Sequence, residues 1–351
     1  MANIDIFDWR SLTASITKIA PVQSFLLDTV FKTKVAHVSD KVDIDLIKGS
    51  QKLAMFVNKN EGPHLVGKDT YQTLTFNLPR LYEKKLFTAN ELGEFKTGTA
   101  GVYAGSAQDI ISESERYKLM ELASLKDRIT RRIEQMACSI LSTGGLTVSQ
   151  DNIDFTYNFD YHAGSDNQLP VLTGNYLWGG TTADIIGNIR TWKRNIFKKT
   201  GATPTIGLLG TTAATKFIAD TAVLAMLDRN NQRAGVMDVT RPIINGSNYL
   251  GNILGIDWYE YSCPYIDGAG SAAEAFDAKL CVLVAPDDSF RVHSGPIYRL
   301  QPGGDSLTIQ NGIVVWPVTD NYNTSLEWTI ETKPLPAVHN PDRVIAATVT
   351  A

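Results

Sequence analysis

The chain has 351 residues, 43% of them hydrophobic and 20% charged, enough apolar material for a substantial core in one elaborated domain or two closely joined ones. Its 33 Lys and Arg against 37 Asp and Glu give a net charge of -4, which argues against a protein whose main work is gripping phosphates through a basic surface. Cys138, Cys263 and Cys281 are widely spaced and form no CxxC pair, so buried thiols are expected, with no zinc, redox centre or other cofactor.

The first nine residues carry Asp5 and Asp8 and lack a basic stretch followed by an apolar one, so no secretory signal is expected and synthesis in the cytosol follows. Residues 1–40 mix short apolar clusters with polar positions, and Pro21 limits any continuous helix; an extended arm with a short helix is predicted. From Lys41, Val42, Ile44 and Leu46 alternate with Asp43 and Asp45, and later Leu74, Phe76 and Leu78 alternate with Thr75 and Asn77. This period of two predicts a long hairpin over 41–85, with a polar Gly-, Lys- and Asn-rich tip from Asn58 to Thr70 and little core of its own.

Ser106 to Ser142 predicts the longest helix, with a capping-box pattern in Ser106 and Asp109 and a stop at Gly144-Gly145. Leu122, Leu125, Ile129, Ile133, Met136 and Ile140 recur at spacings of three and four. At 1.5 Å per residue such a helix spans about 55 Å, long enough to serve as a strut. Ile153 to Phe159 alternates as a strand, after which a helix is predicted over Thr182 to Lys199, a strand over Thr205 to Leu209, and a helix over Thr211 to Leu227. A long loop follows from Asn230 to Asn252, then strands at Ile253 to Tyr261, Leu280 to Ala285, Ile313 to Val318 and Ser325 to Lys333. No stretch approaches the roughly 18 apolar residues of a membrane span.

Four constellations invite a chemical reading. Gly62 to Asp69 nearly spells a phosphate-binding loop, but Asp69 stands where a Ser or Thr hydroxyl should hold magnesium. Gly304-Asp305-Ser306-Leu307 resembles the nucleophile block of one esterase group, with His339 and Asp342 as tempting partners; their order along the chain is wrong for it, and a turn explains the glycines. The five histidines, His37, His64, His162, His293 and His339, are dispersed and have no ligand spacing, so each is expected as a surface or satisfied core residue. Arg190, Lys193, Arg194, Lys198 and Lys199 form the conspicuous basic run, on a helix that also carries Ile185, Ile189, Trp192 and Ile196; a solvated face or a subunit contact is favoured over nucleic acid. Composition and spacing alone stop at a mixed helix-and-strand protein with a projecting hairpin.

Particular blocks go further. Arg131-Arg132-Ile133-Glu134-Gln135-Met136-Ala137, running through Leu141-Ser142-Thr143-Gly144 into the strand from Ile153 to Tyr161, resembles the spine-helix end and first peripheral strand of the lambda-type phage major capsid protein family, the major capsid protein E family. Lys333-Pro334-Leu335-Pro336 with Asn340-Pro341 and Val344 to Val349 is similar to that family's C-terminus. Weaker matches are Ile19-Ala20-Pro21, Val30-Phe31, Gly62-Pro63 and Trp258-Tyr259-Glu260-Tyr261.

The resemblance implies the Hong Kong 97 fold, an α+β capsid fold. Its parts would be an N-terminal arm (1–40), an extended loop (41–85), a peripheral domain (86–181 and 320–351) with a spine helix over about 106–142, and an α/β axial domain (182–319). It implies no catalytic residues. It does imply a subunit of the icosahedral head of a tailed, double-stranded DNA phage, built as pentamers and hexamers. Portal, scaffolding and decoration proteins would be partners, and packaged DNA would lie nearby without specific contact. Asn58, Lys59, Gly62, Pro63 and Lys68 at the loop tip, with Arg194 and Lys198, are the expected subunit contacts.

Overall fold

The structure, a computed structural model, describes residues 24–47, 71–89, 107–150, 153–159, 161, 168–226, 247–266, 270–300, 307–319 and 325–351. The described part of the arm holds a single helical turn, α1 (Phe25–Thr29), and a short strand, β1 (Thr33–Ala36). Phe25, Leu26 and Phe31 are fully buried, so this segment belongs to the subunit's own core.

Strands β2 (Lys41–Ile47) and β3 (Tyr71–Asn77) pair antiparallel, with Lys41 opposite Asn77 and Ile47 opposite Tyr71. Their alternation works as the sequence predicts: one face sends Val42, Ile44 and Phe76 inward, while Asp43 and Asp45 face solvent and accept hydrogen bonds from Thr75 and Thr73. The hairpin root is thus anchored in the main core, where the sequence reading expects little core for it; Phe76 of β3 meets the rings of Tyr157 and Phe159. Asn58, Lys59, Gly62, Pro63 and Lys68, with the whole polar tip and the near phosphate-binding loop, lie outside the described residues. Strand β4 (Leu81–Thr88) follows.

Helix α2 (Ala107–Thr143) has 37 residues and serves two separate cores. Leu122, Leu125 and Ile129 pack on Phe87, Trp328 and Ile330, whereas Met136, Ala137, Ile140 and Leu141 enter the main core two turns further on. A single rigid rod therefore ties a small outer sheet to the body of the molecule. It stops at Gly144, whose φ of 71° suits glycine and whose α-carbon lies so close to the Tyr161 ring that a Cβ would overlap it. Ser106, the expected cap, lies outside the described residues. Strands β5 (Gly145–Gln150) and β6 (Ile153–Asn158) form the hairpin that follows.

Next come α3 (Ile185–Thr200), β7 (Ile206–Leu209), α4 (Thr211–Ala219), β8 (Ser247–Ile253), β9 (Ile256–Tyr261), β10 (Pro264–Ile266), β11 (Ala272–Glu274) and β12 (Leu280–Val284). Strands β13 (Phe290–Ser294), β14 (Pro296–Leu300), β15 (Leu307–Asn311), β16 (Val314–Thr319), β17 (Ser325–Thr332), β18 (Pro334–Val338) and β19 (Val344–Thr348) complete the chain. The largest sheet has the order β19-β12-β7-β9-β8. All of Leu280–Val284 is buried because both faces of β12 are covered: Cys281 and Leu283 face α3 and α4, while Val282 and Val284 face the main core.

Two sequence expectations change here. Residues 247–252 of the predicted loop and the strand from Ile253 are a hairpin, β8 and β9, joined through Leu254 (φ 58°) and Gly255 (φ 76°), while the loop's first part lies outside the described residues. Positive φ at both central residues gives the tight turn whose twist matches paired strands, and Lys193 Nζ donates to the Leu254 carbonyl at 2.5 Å to hold it. The predicted helix from Thr211 breaks at Asp220, whose carboxylate accepts from the backbone N–H groups of Ala222 and Val223 and starts a second helical turn. The last segment serves three sheets: β17 lies between β16 and β4 over α2, β18 pairs with β13, and β19 edges the large sheet. Strand β1 adds parallel to the other side of β13.

Candidate assembly surfaces and buried polar clusters

Helix α3 is built around Asp184, whose carboxylate accepts from the Gly187 N–H at its start, and Gly201 (φ 70°) at its end. Ile185, Ile189, Trp192 and Ile196 are buried, which fixes the opposite face outward. The five cations of the basic run then divide. Lys193 is taken by the Leu254 carbonyl and Lys199 lies 3.4 Å from the Asp342 carboxylate, so both serve the fold. Arg190, Arg194 and Lys198 are exposed at a spacing of four, about 6 Å per step along the helix, and the half-exposed Phe197 ring sits among them. None of the three has an ion-pair partner among the described residues.

The chemical constellations of the sequence resolve differently. Gly304, Asp305 and Ser306 lie outside the described residues. Of the residues that could complete a triad, Asp342 is nearly buried and accepts from Gln168 Nε2 and Lys199, while His339 points away to His293 and the Asp45 carbonyl. Cys138, Cys263 and Cys281 are free and buried, and burial raises all three thiols, Cys263 to about 11. Among the described residues no cluster of His, Cys, Asp and Glu could hold a metal ion, and no helix is long and apolar enough to cross a membrane.

Sequence reasoning misses two polar clusters, one around the buried Glu134 and one around the buried His293. Glu134 on α2 is 5% exposed; its Oε1 accepts from the Leu26 N–H at 2.7 Å and the Tyr261 hydroxyl at 2.8 Å, and its Oε2 from the Leu27 N–H at 3.2 Å. Burial pushes its carboxyl above the usual range, while these three donors pull it back. A single carboxylate thereby joins arm, long helix and large sheet. The second cluster is histidine. Although dispersed in sequence, His37, His293 and His339 converge, with His37 Nε2 2.7 Å from His293 Nδ1 and His293 Nε2 3.1 Å from His339 Nε2. Only a distance map of the fold, which pairs β1 with β13 and β13 with β18, brings them together.

Comparison with known proteins places this architecture. Solved structures with the same fold include a prophage protein of E. coli CFT073 described as a capsid protein, with a TM-score of 0.69 at 12% identity over 98% of this chain and 99% of that one. The capsid of Ralstonia phage GP4 gives 0.51 at 13% identity over 94% and 92%, and a phage-related protein of Bordetella bronchiseptica RB50 gives 0.51 at 11% over 96% and 95%. No curated protein matches the chain. The arrangement of arm, hairpin, long helix and mixed sheet is thus the Hong Kong 97-like fold of phage shells. The family model described as phage major capsid protein E matches residues 8–349, nearly the full length, and the chain belongs to that family.

Proposed function

We propose that this subunit closes into the icosahedral head of a tailed phage as pentamers and hexamers around the segment 182–319, enclosing double-stranded DNA without specific contact. The observation that carries the reading is the family match over residues 8–349. The mechanics agree with it: a 37-residue helix that spans two cores is a stiff member able to carry load between the outer sheet and the body. Repetition of modest contacts in closed symmetry gives a strong shell from weak pairs. A portal, a separate scaffolding protein and a decoration protein are the further partners this role calls for, and the virion shell is its place after assembly in the host cytoplasm.

The exposed stripe of Arg190, Arg194 and Lys198 is assigned to contact with an adjoining copy, together with the hairpin tip around Asn58, Lys59, Gly62, Pro63 and Lys68. Arg194→Glu with Lys198→Glu should leave the subunit folded, because neither side chain has a described partner, yet block capsomer formation in the absence of DNA. Circular dichroism and sedimentation velocity check both halves. Normal DNA-free assembly, with duplex DNA binding by the unmodified chain whose log affinity falls by about 0.9 per neutralised phosphate against log salt and vanishes in the variant, would make the stripe a DNA surface instead.

A further inference from the structure

His37 follows β1, His293 lies in β13, and His339 follows β18. The three imidazoles meet nitrogen to nitrogen, with ring centroids 5.0 and 5.2 Å apart. His293, at 3% exposure, uses a different ring nitrogen for each neighbour. One ion cannot take all three rings in this arrangement, so it is a hydrogen-bonded chain and not a metal site. The chain is anchored at one end by the Asp45 carbonyl on β2, 3.2 Å from His339 Nδ1.

That carbonyl can only accept, and its demand sets every proton in turn. His339 donates from Nδ1 to Asp45, so its Nε2 accepts from His293 Nε2–H; His293 Nδ1 then accepts from His37 Nε2–H. All three neutral rings are satisfied in this one direction. One added proton can be held without breaking a contact, because the tautomers between it and His37 can reverse so that each ring donates toward His37 Nε2 and His37 keeps its proton on Nδ1; a second added proton leaves one pair of N–H groups facing each other.

We propose that His37, His293 and His339 form an acid-operated latch that ties the arm strand β1 and the hairpin strand β2 to the β13–β18 pair, and releases both when the three rings together take up more than one proton. The surroundings favour the neutral state. Burial holds all three rings below the usual histidine range, His293 to about 3. Arg291 on β13 adds repulsion at His293 and His339, and each inner ring is further lowered by His37; the Asp45 backbone and carboxylate pull His339 the other way. Released rings regain an ordinary value of about 6.5. The open form therefore binds more protons below that value, so the latch is intact above about pH 6.5 and weakens continuously as pH falls toward the latched value. The device acts within one subunit and does not depend on shell formation.

Hydrogen exchange of the full-length, unassembled chain tests it, with rates corrected for the intrinsic pH dependence of exchange. Opening of the β1 and β2 amides should rise about tenfold per pH unit or more below about pH 6, one factor of ten for each extra proton bound, while β12 stays protected. His293→Phe, which fills the site without a titratable ring, should flatten this acid dependence. Imidazole NMR of the unsubstituted chain provides a readout that needs no variant: the inner two rings should stay neutral well below the ordinary range, with His339 carrying its proton on Nδ1. Acid-independent protection of β1 and β2, an unchanged slope in His293→Phe, or inner rings titrating at the ordinary value would each overturn the latch.

Discussion

Ile129→Asp should abolish the soluble, folded subunit. Ile129 is 2% exposed and stands where α2 crosses the outer sheet, in one cluster with Leu122, Leu125, Phe87, Trp328 and Ile330. Truncating a buried Ile to Ala costs about 2–5 kcal/mol through lost transfer energy and a residual cavity. A carboxylate adds the cost of an unpaired charge away from water, which exceeds what an ordinary domain has in reserve. Ile133, one turn on and placed by its spacing on the same stripe as Ile129 and Met136, is half-buried at the edge of the cluster. Ile133→Asp should therefore be much milder, since its carboxylate can turn to solvent. Expression and solubility of the two variants side by side check the rotation of the helix; a soluble Ile129→Asp beside an insoluble Ile133→Asp would reverse the assigned face.

Glu134→Ala should release the arm and lower stability by about 3 kcal/mol or more, because two backbone N–H groups and the Tyr261 hydroxyl lose their acceptor together, at roughly 1–3 kcal/mol for each one left buried and unpaired. Relief of the buried charge offsets part of this, which keeps the figure below the sum. Glu134→Gln should be intermediate: its carbonyl still serves Leu26 and Tyr261, but its amide N–H₂ meets the Leu27 N–H. Urea midpoints of unassembled subunits rank the three chains. Equal midpoints for Glu134→Ala and the unsubstituted chain would show that the arm helix is held by Phe25 and Leu26 packing alone.

The two clusters that most tightly join the parts of the molecule are those the sequence hides. A helix or strand announces itself through periodicity within one window, so α2, α3 and the fully apolar β12 were legible, as was the alternation of β2 and β3. Glu134 looks like one more polar residue on an amphipathic helix until the arm is laid across it, 108 residues away in sequence. The histidine chain spans positions 37 to 339 and depends on strand neighbours that no local pattern encodes. The β8–β9 hairpin was missed for a local reason: Leu254 adopts a positive φ, and nothing about leucine signals it. On α3, charge counting found five cations, and geometry left three of them facing out, because two reach back to the fold. Of the expected contact residues, Arg194 and Lys198 are placed on that outward face.

The central claim is that this chain builds a shell from copies of itself, and electron cryo-microscopy of the purified, concentrated protein addresses it directly. The account predicts closed icosahedral particles or their capsomers, with α2 traceable as a rod in every subunit and α3 turned toward an adjoining copy. A chain that stays monomeric at high concentration, or that assembles only as open aggregates lacking pentamers and hexamers, would contradict it.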